Sequence, residues 1–190
     1  MTNNFQTMDV TSEMYNLLRW LKANISTDEM RESLQCIHIK ENGTIFEASD
    51  GFKLIVAKLQ NPIDELWVLD NPQNKLTDGL WKPVTITKKV IELVKVDDLI
   101  YPDTSIILTD YDKPITDTQT FTTLNPEFLC SVISGFDLVN INFITSNRPV
   151  QIVLHSISMP IGTYVAIVMP YRSDANFTTI QSDIRAVKDK

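Results

Sequence analysis

The sequence predicts an α+β fold in which two β-α-β-β-β halves share one core. Three observations predict it. Near the N-terminus, an amphipathic helical segment is followed by three strand-like runs, and residues 120–172 repeat that series. The closing run, Thr163-Tyr164-Val165-Ala166-Ile167-Val168-Met169-Pro170, is almost continuously apolar, and only a polar tail follows it. A series of elements that occurs twice and must bury a common face defines an architecture rather than a site.

The first half begins with a short strand over Asn4 to Val10. Met14, Leu17, Leu18, Leu21 and Ile25 then recur at helical spacing, with Thr11 or Ser12 placed to cap the helix. Ser26 to Ser33 is polar and reads as a loop. Leu34 to Lys40 has strand character, Glu41-Asn42-Gly43 supplies a hairpin turn, and Thr44 to Ala48 returns. Ser49-Asp50-Gly51 turns again before a third run, Phe52 to Leu59.

In the second half, Thr120 to Leu124 is the entering strand. Asn125 caps a helix whose first position is Pro126, where the missing N–H has no helical partner to lose. Phe128, Leu129, Val132, Ile133 and Phe136 form its apolar face. Strands follow over Leu138 to Ile144, Val150 to Ile157 and Thr163 to Pro170. Residues 60–119 separate the halves as an insertion or a worn third copy. Within them Val84-Thr85-Ile86 reads as a short strand, Lys88 to Val96 as a helix through Val90, Ile91 and Val94, and Ile106-Ile107-Leu108 as a strand. The chain is therefore divided into a single domain over 1–173 and a polar tail over 174–190.

At 190 residues with 43% hydrophobic and 22% charged content, the composition is that of an ordinary globular protein. No apolar run approaches the length of a membrane span, and no signal peptide is visible, so a cytoplasmic location without membrane partners is expected. Cys36 and Cys130 read as reduced, buried thiols. The net charge of −7 argues against a surface that coats nucleic acid as a whole, but lysines and arginines gathered on one face act through local potential.

Catalytic and metal chemistry finds little footing. Cys36 and His38 alternate on one strand, but the chain has one further Cys and one further His, too few for a convincing ligand set. Five glycines form no phosphate loop, and Asp97-Asp98 and Asp110-Tyr111-Asp112 read as solvated turns. No enzyme and no cofactor are expected.

Three stretches together resemble a domain of the bacterial DNA polymerase sliding clamp, the DNA polymerase III beta subunit, and the compact size of the chain suggests a bacterial virus or mobile element as its source. Met30-Arg31-Glu32-Ser33-Leu34-Gln35-Cys36-Ile37-His38-Ile39 resembles the segment leading into the strand after a clamp domain's first helix. Ala48-Ser49-Asp50-Gly51-Phe52-Lys53-Leu54 is similar to the clamp turn Ala-Thr-Asp-Gly-His-Arg-Leu. Leu124-Asn125-Pro126-Glu127-Phe128-Leu129 and Val168-Met169-Pro170-Tyr171-Arg172 resemble the start and end of the C-terminal half-domain, which closes on Met-Pro-x-Arg. The likeness covers about residues 8–59 and 120–172.

The resemblance implies a DNA-clamp-like fold with the helices on one face of antiparallel sheets. It implies a processivity and partner-recruitment factor for DNA replication, with duplex DNA, replication proteins carrying clamp-binding peptides, and further copies of the chain as partners. Lysines and arginines on clamp helices attract phosphates without reading bases; the DNA-facing candidates are Arg19, Lys22, Lys88, Lys89 and Lys95. The peptide-groove candidates are Gly51, Phe52, Lys53, Leu54, Val168, Met169, Pro170 and Tyr171. In the family the two motifs of one groove come from neighbouring domains, so here the groove is expected between subunits or not at all. A clamp ring uses six domains, so a ring would require a homo-oligomer. The alternative reading is a non-encircling clamp-fold module that captures or inhibits replication partners.

Overall fold

The structure is a computed structural model that describes residues 6–7, 12–62, 76–88, 90–109, 124–142 and 149–170. The first half comprises β1 (Gln6–Thr7), α1 (Ser12–Lys22), β2 (Ile37–Lys40), β3 (Ile45–Ser49) and β4 (Lys53–Leu59). The middle contributes β5 (Gly79–Ile86), β6 (Ile91–Val96) and the short helix α2 (Ser105–Thr109). The second half is α3 (Pro126–Ile133), β7 (Leu138–Asn142), β8 (Val150–His155) and β9 (Gly162–Val168).

Among the described residues, nine strands form one sheet in the order β1-β6-β5-β2-β3-β4-β9-β8-β7. Every pairing is antiparallel. The two halves meet at β4 and β9, which pair from Lys53↔Val168 to Leu59↔Gly162. The duplication is visible in the register. One row across the sheet reads Leu80, His38, Glu47, Val56, Val165, Val153, Asn140. An approximate two-fold axis lies between Val56 and Val165, so Val153 occupies the place of Glu47 and Asn140 the place of His38.

Period-two alternation sends alternate side chains to the helix-bearing side of the sheet. Ile37, Ile39, Phe46, Ala48, Ile55, Ala57, Ile152, Leu154, Tyr164, Ala166 and Val168 bury there against Met14, Leu17, Leu18 and Leu21 of α1 and Val132 of α3. Trp20 joins the halves. Its indole N–H donates to the Val132 carbonyl at 2.7 Å, and its ring meets Phe136 and Tyr164 edge-on at 5.0 and 5.9 Å. The Tyr164 hydroxyl donates to the Pro160 carbonyl. The α3 start follows the sequence expectation: the Asn125 side chain accepts from the Glu127 N–H at 2.9 Å, with Pro126 in the first turn.

Two elements of the middle differ from expectation. The segment expected to be a helix over Lys88 to Val96 is the strand β6. Ile91 and Leu93 alternate into the core, and that period of two prevails over the helical grouping of Val90, Ile91 and Val94 because β5 is available to pair with it. The segment expected to be a strand over Ile106 to Leu108 is the helix α2. Thr104 accepts the Ile107 and Leu108 N–H groups, and the Asp103 carboxylate takes that of Ser105; Asp103-Thr104-Ser105 was a helix-start signal. β5 is also longer than Val84 to Ile86, and it tolerates Pro83 at a register shift where β2 no longer pairs with it. Leu34 and Gln35 lie in a 3-10 turn rather than in β2. The expected entering strand at 120–123 and the tail lie outside the described residues.

Candidate functional site

The helix-bearing face carries the first group of candidates. Arg19 and Lys22 sit exposed in the last turn of α1, where positive charge also complements the helix dipole. Among the described residues, neither forms an ion pair; Lys22 Nζ donates to the Val84 carbonyl at 3.4 Å. Lys88 is exposed in the β5–β6 turn. Lys95 shares a strand face with Ile91 and Leu93, but its Nζ donates to Thr77 Oγ1 at 2.9 Å and lies 6.0 Å from the Trp81 ring centre, so it is tied to the sheet. Lys89 lies outside the described residues. α3 presents Glu127 and Cys130 to solvent and contains no lysine or arginine. The basic character of this face therefore comes from the first half.

The second group converges at one end of the β4–β9 ladder. Asp50 builds the turn: Oδ1 accepts the Phe52 and Lys53 N–H groups at 2.9 and 3.0 Å, and Ser49 Oγ accepts that of Gly51 at 3.0 Å. Gly51 has φ of +93°, a left-handed conformation that calls for glycine; a Cβ there would displace only the end of the flexible Arg31 side chain. Arg31 Nη1 donates to the Asp50 carbonyl at 3.0 Å, with its guanidinium 5.4 Å from the centre of the Phe52 ring. Phe52 stacks on Phe128 at 5.8 Å, and its carbonyl accepts the Met169 N–H at 2.9 Å. Phe52 and Met169 are 51% and 46% exposed, unlike Leu54 and Val168, which are buried and unavailable to a partner.

Lys53 is also unavailable. It is 7% exposed, and its Nζ reaches Asp50 Oδ2 and Ser131 Oγ, each at 3.1 Å, above the Phe128 ring at 5.2 Å. Ser131 continues to Asn24, whose amide donates to the Trp20 carbonyl. Lys53 thus ties the turn to both helices. Pairing of β4 with β9 brings Phe52 and Met169, one residue from each groove motif, together within one chain. Arg31 and Phe128, which complete this surface, were not chosen from the sequence. Arg31 stands in the polar segment before β2, and the helical spacing places Phe128 on an apolar face that gives no sign of a surface role. Tyr171 lies outside the described residues.

On the opposite, outer face, a buried polar group anchors the segment following β6. Glu47 is fully buried, and its carboxylate accepts from His38 Nδ1 at 3.1 Å and Thr104 Oγ1 at 3.0 Å, and pairs with Lys40 Nζ. Burial alone would raise this carboxyl, but the His38, Lys40 and Thr104 hydrogen bonds outweigh it and hold Glu47 below the usual glutamate range. Because the carboxylate accepts, His38 carries its proton on Nδ1. Tyr101 packs on the His38 ring at 4.7 Å and joins Cys36 and Leu80 in a small apolar cluster. Burial pushes the Cys36 thiol and the Tyr101 hydroxyl up. The Cys36–His38 alternation therefore serves this anchor, with Glu47 as the partner the sequence did not reveal. Of the two thiols expected to be buried, Cys130 is instead exposed on α3. Among the described residues, no helix is long and apolar enough to cross a membrane.

This architecture is the clamp fold, and comparison with solved structures agrees. The DNA polymerase III beta subunit of Thermotoga maritima superposes with a TM-score of 0.55 at 18% identity, over 89% of this chain and 65% of that one. The DNA polymerase III subunit beta of Borrelia burgdorferi gives 0.51 at 12%, over 89% and 63%. The DNA polymerase sliding clamp of Bacillus subtilis gives 0.50 at 14%, over 88% and 64%. No family model and no curated protein matches the sequence. The chain spans less than two thirds of the length of these clamps, and identities this low carry the fold and nothing finer.

Proposed function

We propose that this chain is a sliding-clamp-like accessory factor for DNA replication. It meets duplex DNA without base specificity through Arg19 and Lys22 of α1, with Lys88, Lys89 and Lys95 as further cations, and recruits partner peptides at the Phe52–Met169 end of the sheet. The observation that carries this reading is the pair of halves related by a two-fold axis, with both helices on one face and the exposed cations of α1 on that face. Unpaired cations on a helical surface favour phosphates over bases, the requirement for a protein that must move along DNA. The exposed Phe52 and Met169, with Arg31 beside them, offer apolar contact and a cation to an extended peptide.

The test is retention on circular duplex DNA at two salt concentrations. Arg19→Ala with Lys22→Ala should weaken retention and flatten its salt dependence; unchanged retention rejects the helix face as the DNA contact. For the peptide site, Met169→Asp should abolish binding of a clamp-binding peptide, and normal binding places that site elsewhere. A second reading, a non-encircling module that captures replication partners, is favoured by the absence of lysine and arginine from α3.

A further inference from the structure

Two asparagines link α1 and the turn that follows it to the second half. Asn24 Nδ2 donates to the Ser131 carbonyl at 3.4 Å, and the Ser131 hydroxyl donates to Asn24 Oδ1 at 3.1 Å. Asn16 Nδ2 donates to the carbonyl of Ser158, in the β8–β9 loop, at 2.9 Å. Between these bridges lies a cleft of about 150 Å³, with the buried Trp20 and Met159 as its floor. Small residues keep it open: Ala23 on the α1 side, Ser134 and Gly135 on the other, where a Cβ added to Gly135 would meet nothing within 4 Å. Arg19 completes the wall and forms no ion pair among the described residues, and none of the residues lining the cleft is acidic. The helix dipoles disfavour an anion here, at the C-terminal ends of α1 and α3. The carbonyls that carry that charge already have donors: Val132 takes the Trp20 indole N–H, Trp20 and Ser131 take the Asn24 amide, and Cys130 and Ile133 take the Ser134 and Phe136 N–H groups. The Arg19 charge therefore governs the cleft.

We propose that this cleft seats one phosphate oxyanion of a nucleic-acid backbone, with Arg19 supplying the charge and the exposed Ser134 and Ser158 hydroxyls orienting it. Guanidinium and hydroxyl groups are the donors that phosphate contacts use, and they carry no base information. The cleft is well below the size of a pocket for a whole small molecule, so it holds a group and not a nucleotide. One cation matches the single charge of a phosphodiester. Ser158 Oγ lies 2.9 Å from Ser156 Oγ, a contact that an exposed hydroxyl exchanges for a phosphate oxygen by rotating. The proposal deepens the DNA reading and rests on it for the source of the phosphate. It gives the second half a part in that contact through neutral donors, although α3 contains no lysine or arginine. A neutral hydroxyl releases no counterion, so this part of the contact is insensitive to salt.

Fluorescence anisotropy of a short labelled DNA duplex with the full chain, across a range of salt, tests this, and the Trp20 indole N–H resonance reports on the cleft floor. Ser134→Ala with Ser158→Ala should weaken duplex binding roughly tenfold at every salt concentration and leave the log–log salt slope unchanged, because hydrogen bonds are lost and no charge is. Arg19→Ala should weaken binding and make that slope shallower by about one. Far-ultraviolet circular dichroism checks that each variant is folded. The Trp20 resonance should move on addition of duplex, and inorganic phosphate is the second probe. A shift with duplex alone assigns the seat to the polymer's phosphodiester; a shift with both assigns it to the phosphate group itself. Duplex binding that is indifferent to the serine changes, or that leaves the Trp20 resonance in place, overturns the cleft and leaves the DNA reading standing. A serine variant whose salt slope falls as it does for Arg19→Ala also overturns the cleft. A Trp20 shift with inorganic phosphate in a chain that binds no duplex upholds the cleft and rejects the DNA reading, and no response to either probe rejects both.

Discussion

The two halves of this molecule share a plan and differ in what has been added to it. In the first, α1 carries Arg19 and Lys22, β2 is extended by the β5–β6 hairpin, and the outer face is covered where Tyr101 and Thr104 dock on His38 and Glu47. In the second, α3 has no lysine or arginine, no strand follows β7 in the sheet among the described residues, and Val153 and Asn140 stand where Glu47 and His38 stand in the first. Duplication supplies a frame that each half needs from the other at β4 and β9, while the additions give the halves separate tasks. The buried carboxylate of the first half is tolerated because His38, Lys40 and Thr104 surround it with donors.

The largest expected effect breaks the junction itself. Trp20→Ala removes the side chain that touches both halves and leaves the Val132 carbonyl without its donor; a loss of about 3–5 kcal/mol is expected in urea unfolding. Retained stability within about 1 kcal/mol would mean that the halves are held by the β4–β9 ladder alone.

Glu47→Gln addresses the covered half, with an expected loss of about 1–3 kcal/mol near neutral pH. Its pH dependence sharpens the comparison. The folded-state pKa of Glu47 lies below its unfolded value, so its contribution is present above the unfolded value and is lost as pH falls through the folded one. Thermal melts of the unmodified chain from neutral pH downward should therefore steepen on the acid side of the ordinary glutamate range, and the Gln variant should lack that component. The corresponding change in the second half, Val153→Thr, should leave the acid limb unaltered.

A smaller effect belongs to the second helix alone. Asn125→Ala removes the acceptor of the Glu127 N–H and should lower stability by about 1 kcal/mol, read as a shifted denaturant midpoint with unchanged slope. Smallest is Arg19→Ala with Lys22→Ala, which should stay within about 0.5 kcal/mol of the parent because neither forms an ion pair among the described residues. A larger loss would assign these cations to folding rather than to the helix face.

What was legible in the sequence follows from the range of the interactions. Helices α1 and α3, the Asn125–Pro126 start and the glycine turns are local, and spacing or turn chemistry announces them. The middle was misread where local signals were ambiguous: Ile91 to Val96 fits either period until β5 is there to pair with it. The end of the β4–β9 ladder was half legible. Gly51 to Leu54 and Val168 to Pro170 were named, but their meeting within one chain depends on a pairing between distant strands. Burial of Lys53 depends on Ser131, 78 residues away. Glu47 gave no signal, since an isolated glutamate in a strand resembles a solvent-facing residue until Thr104 and Tyr101 cover it.

The β4–β9 ladder also constrains how the molecule is made. Lys53 waits for Val168, so the central pair of strands joins segments more than a hundred residues apart. Until then β4 is an unpaired edge of apolar Leu54, Ile55, Val56 and Ala57. During synthesis the first half emerges long before its partner exists, and at about 5–20 residues per second that interval lasts on the order of ten seconds. The symmetry that stabilises the finished protein leaves the nascent one dependent on its last strand.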